Sequence, residues 1–390
     1  MINISTNYAG IKINSPIVVA ASGLTSSIKN IQTAQNYNVG AVIIKSYFEK
    51  ENYRTSPTPN FKILKYGGKG LVSSSFYSFE QAYNGDIYDY CKFIENCKKK
   101  IKIPVIASIN CFSDEAWIRS SQLIEEAGAD GIELNVSCPH GVHSMNGRNL
   151  SNEYLNSFNL VKNSINRIPI IVKISSQSNN PMHECLNLEK NGVKNVVLFN
   201  RFTGLEIDIN NEEPILHGGY AGYGGFWMIN YVLRWVSEIS KNLEINVSAS
   251  GGVYSGKDIV KLILAGASNV QICSVIYQFG FEIIYKIIKD LKKFMTEKRY
   301  SKISDFRGKI LKKIKNNDEI SRGQSVYYSI NKELCSKCGK CKKICIYQAA
   351  DYNQGKKIFY IDKDKCKGCG ICQNLCPKNA IFEDSLAKKI

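Results

Sequence analysis

The chain has 390 residues, 44% of them hydrophobic, which is enough for one large α/β domain with a smaller second one. Its formal charge of +17 comes from lysines spread along a Lys-, Asn- and Ile-rich composition. No basic stripe with interleaved aromatics appears, so the charge points to an acidic protein partner and not to nucleic acid.

No run approaches the roughly 20 apolar residues of a membrane span. The start, MINISTNYAG, has neither the basic nor the apolar region of a signal peptide, so a cytoplasmic protein off the membrane is expected. Fourteen cysteines in such a compartment are not read as disulfides. Six (Cys91, Cys97, Cys111, Cys138, Cys185 and Cys273) are scattered through the first 300 residues, and eight crowd into the last 60. That asymmetry marks the main domain boundary.

In chain order, NISTNYAGIKINSP reads as a hairpin. Strand-like apolar runs follow at 16–22 (PIVVAAS), 41–46 (AVIIKS), 103–109 (IPVIASI) and 131–137 (GIELNVS). Four more lie at 168–175 (IPIIVKIS), 195–200 (NVVLFN), 245–251 (INVSASG) and 269–274 (NVQICS). Helical patterns such as SDEAWIRSSQLIEEAG and SGKDIVKLILAGA separate them. Eight strands alternating with helices predict an α/β fold, a parallel (β/α)8 TIM barrel over residues 1–300. Long insertions follow strand two (47–100) and strand six (201–243).

Barrel enzymes build their sites at the C-terminal ends of the strands. Here those ends carry Ser22, Lys45, Ser46, Asn110, Asn135, Cys138, Lys173, Asn200 and Ser274. One strand-end lysine is ordinarily a surface residue. Two lysines and three asparagines at the same end point to a site. In ELNVSCPHG, Cys138 stands where the fourth strand gives way to Pro139, whereas a structural cysteine belongs inside the apolar run. Gly251 and Gly252 after strand seven, with Cys273 and Ser274 after strand eight, lie where barrels bind phosphate, and a cofactor such as FMN fits there. The run GGYAGYGGFW does not follow a strand and open a helix, so it is not a dinucleotide fingerprint. No nicotinamide-binding domain is found.

After an expected linker at 301–325, residues 326–390 read as a ferredoxin-like domain. CSKCGKCKKIC places Cys335, Cys338, Cys341 and Cys345 in C-x2-C-x2-C-x3-C spacing. CKGCGICQNLCP repeats it 31 residues later with Cys366, Cys369, Cys372 and Cys376. This is the spacing of two-cluster bacterial ferredoxins, in which the fourth cysteine of each run serves the other cluster. Cys335, Cys338, Cys341 and Cys376 are therefore assigned to one [4Fe–4S] cluster, and Cys366, Cys369, Cys372 and Cys345 to the second. Paired zinc sites are the alternative, but zinc takes two separated pairs of ligands. Ile346 departs from the pattern, where the first run would have proline. VYYSINKELC and KKIFYIDKDKC read as short strands leading into each motif. The lysines around the clusters (Lys337, Lys340, Lys342, Lys343, Lys365 and Lys367) suit either an acidic electron carrier or a solvated surface.

On these residues the barrel resembles the FMN-dependent dihydroorotate dehydrogenase superfamily. Barrel and ferredoxin domain together resemble the catalytic part of dihydropyrimidine dehydrogenases, over almost the whole chain. ELNVSCPHG is similar to that family's active-site segment, and FMTEKRYSKISDFRGK (294–309) looks like the tail of the soluble dihydroorotate enzymes. The resemblance implies FMN held by Ser22, Lys45, Ser46, Lys173, Gly225, Gly251, Gly252, Cys273 and Ser274. It implies Cys138 as acid/base, protonating C5 of a pyrimidine while hydride passes to C6, and Ser78, Asn135, Ser137, Asn200 and Arg201 around the substrate. Lys45 and Lys173 would favour the anionic reduced flavin.

Two departures divide the substrate reading. Ser78 stands where the family has a substrate-binding asparagine, and Arg201 where it has a small hydroxyl residue. Arginine suits a carboxylate, whereas His140 matches the dihydropyrimidine branch. The expected function is oxidoreduction at the C5–C6 bond of a pyrimidine or dihydropyrimidine. A ferredoxin-linked dihydroorotate dehydrogenase, or the same chemistry on another carboxylate-bearing substrate, is the alternative. Electrons would pass through the clusters to or from a separate FAD/NAD(P)H subunit or a ferredoxin. The resemblance also implies a homodimer, and the segment 138–150 is read as a mobile loop over an oxygen-sensitive enzyme. A pure electron-transfer protein, or a Schiff-base lyase using Lys173, would hold no flavin.

Overall fold

A computed structural model describes residues 2–49, 56–66, 73–136, 150–320 and 325–386. The chain divides into two compact units, Met1–Lys313 and Ile314–Ile390. In the first, eight parallel strands close on themselves. They are β1 (Ile17–Val19), β2 (Ala41–Ile43), β3 (Val105–Asn110), β4 (Gly131–Leu134), β5 (Ile170–Ile174), β6 (Asn195–Leu198), β7 (Asn246–Ser250) and β8 (Asn269–Ile272). Each pairs with its sequence neighbours, and β8 pairs with β1 to shut the TIM barrel. Seven fall inside the runs expected from sequence, and β3 runs one residue past its run of 103–109. Helices fill the gaps, from α1 (Ile28–Asn36) and α2 (Ile87–Lys100) through α3 (Asp114–Glu126) and α4 (Leu150–Ser164) to α5 (Pro181–Lys190). The set ends with α6 (Ile229–Asn242), α7 (Gly256–Leu264), the short α8 (Ser274–Phe279) and α9 (Ile283–Glu297).

The strands read as continuous apolar runs because both faces are buried, yet the two faces differ. Ile132, Leu134, Val172, Ile174, Val270 and Ile272 point outward into the core shared with the helices. Alternation along the strands then sends Glu133, Lys173 and Gln271 inward. Toward the N-terminal end the interior is apolar, with Val18, Ala41, Ile43, Ile106, Ile171 and Val197 packed together. The expected hairpin, Thr6–Tyr8 with Ile11–Ile13, lays Tyr8, Ala9 and Ile13 on that cluster and plugs it.

The two long insertions contribute the strands of one antiparallel sheet. Its order is Phe202–Gly204, Ala221–Gly224, Ser73–Ser78, Phe61–Tyr66, so strands about 140 residues apart pair directly. The expected linker is also corrected in its first part. Residues 301–313 belong to the barrel unit, because Ile303 and Phe306 are buried and Phe306 stacks on Tyr300 and meets Phe294.

The second unit carries its duplication in the backbone. Gly339 and Gly370, 31 positions apart, each open a helical turn with left-handed φ of 71° and 70°. Lys337 and Gly368 share the left-handed region, as do Gln348 and Asn379. The Ala349 N–H donates to Cys345 Sγ and the Ala380 N–H to Cys376 Sγ, each at 3.3 Å. The strands expected before each motif are present at Ser325–Ile330 and Ile358–Ile361.

Candidate functional site

The strand ends open into a cleft of about 1190 Å³, counted out to its mouth. Ser22, Lys45, Ser46 and Lys173 line it, as do Asn135, Asn200 and Arg201. Gly225, Gly251, Gly252, Cys273 and Ser274 complete the wall on the side of β7 and β8. The structure thus brings together in one cavity every residue singled out for FMN and three of the five singled out for substrate.

Ser78 is placed differently. It is fully buried in the antiparallel sheet, where its hydroxyl accepts from the Glu80 N–H at 3.3 Å, and it does not line the cleft. Ser137, Cys138, His140 and nearly all of the proposed loop lie outside the described residues.

A chain of hydrogen bonds fixes the polar wall. Ser108 meets Ser46 at 2.7 Å, Asn135 Nδ2 donates to Ser46 Oγ at 3.1 Å, and Asn200 Nδ2 donates to Asn135 Oδ1 at 2.8 Å. Asn200 Oδ1 in turn accepts the Arg201 N–H at 3.0 Å. Because each amide's orientation is set by its neighbour, Asn135 and Asn200 are pre-organised before any ligand arrives. Asn110 braces the same wall by donating to the Asn135 carbonyl at 2.6 Å.

Charge in the cleft is dominated by cations. Burial pulls the Lys45 ammonium below its usual pKa; Glu80 opposes this and Arg201 adds to it. Glu80, which sequence reading missed, is held by the Tyr277 hydroxyl at 2.5 Å and the Gly23 N–H at 3.4 Å. Burial pushes the Cys273 thiol up to about 11, so it lines the cleft as a neutral group. Cys91 and Cys97 are pushed up to about 12 by burial, which suits structural thiols.

These residues fit a phosphorylated flavin on structural grounds. Gly251 and Gly252 sit at φ of 112° and 77°, where a side chain is strained. Gln271 lines the cleft and its buried Oε1 has no partner among the described residues, so an acceptor awaits a donor. A Cβ on Gly252 would stand 2.3 Å from the backbone nitrogen of Ile229 at the start of α6. Gly252→Ala is therefore expected to destabilise the protein by about 2–4 kcal/mol and to lower cofactor content, measured by thermal unfolding and by the released cofactor.

The sequence profile for dihydroorotate dehydrogenase matches residues 3–295, which is the barrel and its cleft. The chain belongs to the dihydroorotate dehydrogenase family. It is 31% identical over 319 residues to the catalytic subunit of dihydroorotate dehydrogenase B (NAD(+)) of Thermoplasma volcanium, covering 80% of this chain and all of that protein. The corresponding subunit of Pyrococcus horikoshii is 29% identical over 308 residues, or 78% of this chain and 96% of its own. The NAD-dependent dihydropyrimidine dehydrogenase subunit PreA of Escherichia coli is 23% identical over 368 residues, 90% of this chain and 88% of its own. That last match spans more of the chain than the barrel unit alone.

A 4Fe-4S binding domain matches residues 359–382, the second cysteine run. So this member of a dehydrogenase family carries an iron–sulfur motif on the same chain. In the second unit, Cys335, Cys338, Cys341 and Cys376 line one cavity. Cys345, Cys366, Cys369 and Cys372 line another, and Cys372 also borders the first. The fourth cysteine of each run is thus found with the first three of the other. Of the surrounding lysines, Lys342 pairs with Asp351 at 2.6 Å and Lys365 with Asp362 at 3.8 Å. Among the described residues no helix is long and apolar enough to cross a membrane.

Proposed function

We propose that the chain is the flavin- and iron–sulfur-bearing catalytic subunit of an oxidoreductase acting at the C5–C6 bond of a pyrimidine, of dihydropyrimidine dehydrogenase type. The observation that carries this reading is the pairing, on one chain, of an FMN-suited barrel cleft with two cavities lined by crossed sets of four cysteines. The PreA subunit, named for dihydropyrimidine dehydrogenation, matches this chain beyond the barrel and supports it. FMN bound in the cleft supplies the two-electron chemistry.

The protein's own residues do the rest. Ser22, Lys45, Lys173, Gly225, Gly251, Gly252, Cys273 and Ser274 would hold the cofactor, and Asn135 and Asn200 would present fixed amides to a substrate. Cys138 moves the proton. Cys335, Cys338, Cys341 and Cys376 hold one [4Fe–4S] cluster, and Cys366, Cys369, Cys372 and Cys345 the second, carrying electrons to or from a FAD/NAD(P)H subunit or a ferredoxin. The crossed sharing of the fourth cysteines, in the spacing of two-cluster ferredoxins, favours clusters over zinc. The barrel is the FMN domain, and the working form is a cytoplasmic homodimer.

A second reading, favoured by Arg201 in the cleft wall, is a ferredoxin-linked dihydroorotate dehydrogenase or a relative acting on another carboxylate-bearing substrate. Anaerobic addition of dihydrouracil, dihydrothymine or dihydroorotate to the purified holoenzyme separates the two readings. Flavin bleaching by the first two is expected for the main reading and bleaching by dihydroorotate alone for the second. A bound flavin that none of them reduces would refute both pyrimidine substrates and leave another carboxylate-bearing substrate.

A further inference from the structure

Under the cleft, β4 carries a carboxylate that no solvent reaches. Glu133 is completely buried between Ile132 and Leu134, and the strand turns it into the barrel interior. Its oxygens are divided between three groups. Oε1 accepts from Lys173 Nζ at 3.1 Å. Oε2 accepts from Gln271 Nε2 at 3.0 Å and from the Tyr8 hydroxyl at 3.5 Å. Gln271 Nε2 also donates to the Tyr8 oxygen at 3.2 Å.

Lys173 and Gln271 line the cleft, whereas Glu133 and Tyr8 lie behind them. With Gln271's amide hydrogens drawn to Glu133 and Tyr8, its unpartnered Oε1 is left as the atom offered to a bound molecule. The hairpin that plugs the barrel thereby reaches, through Tyr8, to within one hydrogen bond of the cleft wall. An ion pair buried this deeply is a weak source of stability but a strong constraint on orientation.

Resting on the reading that the cleft holds FMN, we propose that Glu133 is a positioning residue. It aims the Lys173 ammonium and the Gln271 carbonyl into the cleft and offsets the lysine's charge, and so sets the reduction potential of the bound flavin. Removing its charge takes a negative partner from the ammonium beside a cofactor that gains negative charge on reduction, which favours the reduced form.

The test is Glu133→Gln, which keeps size and removes charge, followed by reductive titration of the holoenzyme flavin against a reference dye. Flavin content is expected to be retained. The reduction equilibrium should shift at least tenfold toward the reduced form, about 30 mV for a two-electron couple. In a Lys173→Met background the same substitution should have far less effect, because the carboxylate acts through the lysine. If Glu133→Gln does not fold, Tyr8→Phe carries the test, and a shifted potential at unchanged flavin content is the expected result. An unshifted potential in the flavin-loaded variant overturns the proposal. Absence of flavin from the unsubstituted protein overturns the FMN reading instead.

Discussion

Cys138→Ala is expected to fold, keep its flavin, and lose about 10²–10⁴-fold in the rate of flavin reduction by substrate, the usual worth of a positioned acid or base. The choice of this cysteine rests on contrast with the others of the barrel. Cys91 and Cys97 are pushed to about 12 and Cys273 to about 11 by burial, so at neutral pH they neither give nor take a proton readily. In the sequence Cys138 comes three residues after the pre-organised Asn135, which lines the cleft. An unperturbed thiol titrates near pH 8.5 and can work from there without extreme tuning. Cys138→Ser should retain part of the rate with its optimum moved to higher pH, since a hydroxyl is the weaker acid. Stopped-flow reduction measured beside flavin content separates lost chemistry from lost cofactor. An alanine variant that reduces its flavin at the parental rate would remove Cys138 from the reaction.

Much of the architecture was legible because barrel strands are short and buried on both faces. Runs such as GIELNV and IPIIVKIS therefore stand out between amphipathic helices, and their polar ends mark the site. The crossed cysteine sets were legible from spacing alone. What escaped was non-local. Phe61–Tyr66 and Ser73–Ser78 find their sheet partner in Ala221–Gly224, and nothing in either insertion encodes that meeting. Ser78 looked like a ligand by position along the chain, yet its hydroxyl is turned onto the Glu80 N–H. Glu133 was passed over because attention to strand ends ignores mid-strand polar residues. The signal was there, since an acidic residue flanked by Ile132 and Leu134 on a central strand needs a buried partner.

Arg201→Thr is expected to divide the two substrate readings by the larger margin. The guanidinium is packed over Gly222, where a Cβ would stand 2.0 Å from its Nε. Among the described residues its Nη2 reaches the Glu80 carbonyl, at 3.5 Å. The Glu80 carboxylate is held by Tyr277 and the Gly23 N–H, not in a hydrogen bond to the guanidinium. Two cations, Arg201 and Lys45, meet the same cleft; burial lowers the lysine's pKa, Glu80 opposes this and Arg201 adds to it. A neutral dihydropyrimidine leaves that charge unmet, whereas a carboxylate would pair with it. If the substrate is a carboxylate, the threonine variant should lose about 2–5 kcal/mol of transition-state binding for dihydroorotate, roughly 30- to 5000-fold in kcat/KM. Dihydrouracil, which makes no such pair, should change by less than about threefold, the scale of a lost surface charge. Equal losses for both would make Arg201 a support for the Glu80 segment. A gain for dihydrouracil would mean that the arginine excludes neutral rings, because an unpaired guanidinium acts against any ligand that desolvates it.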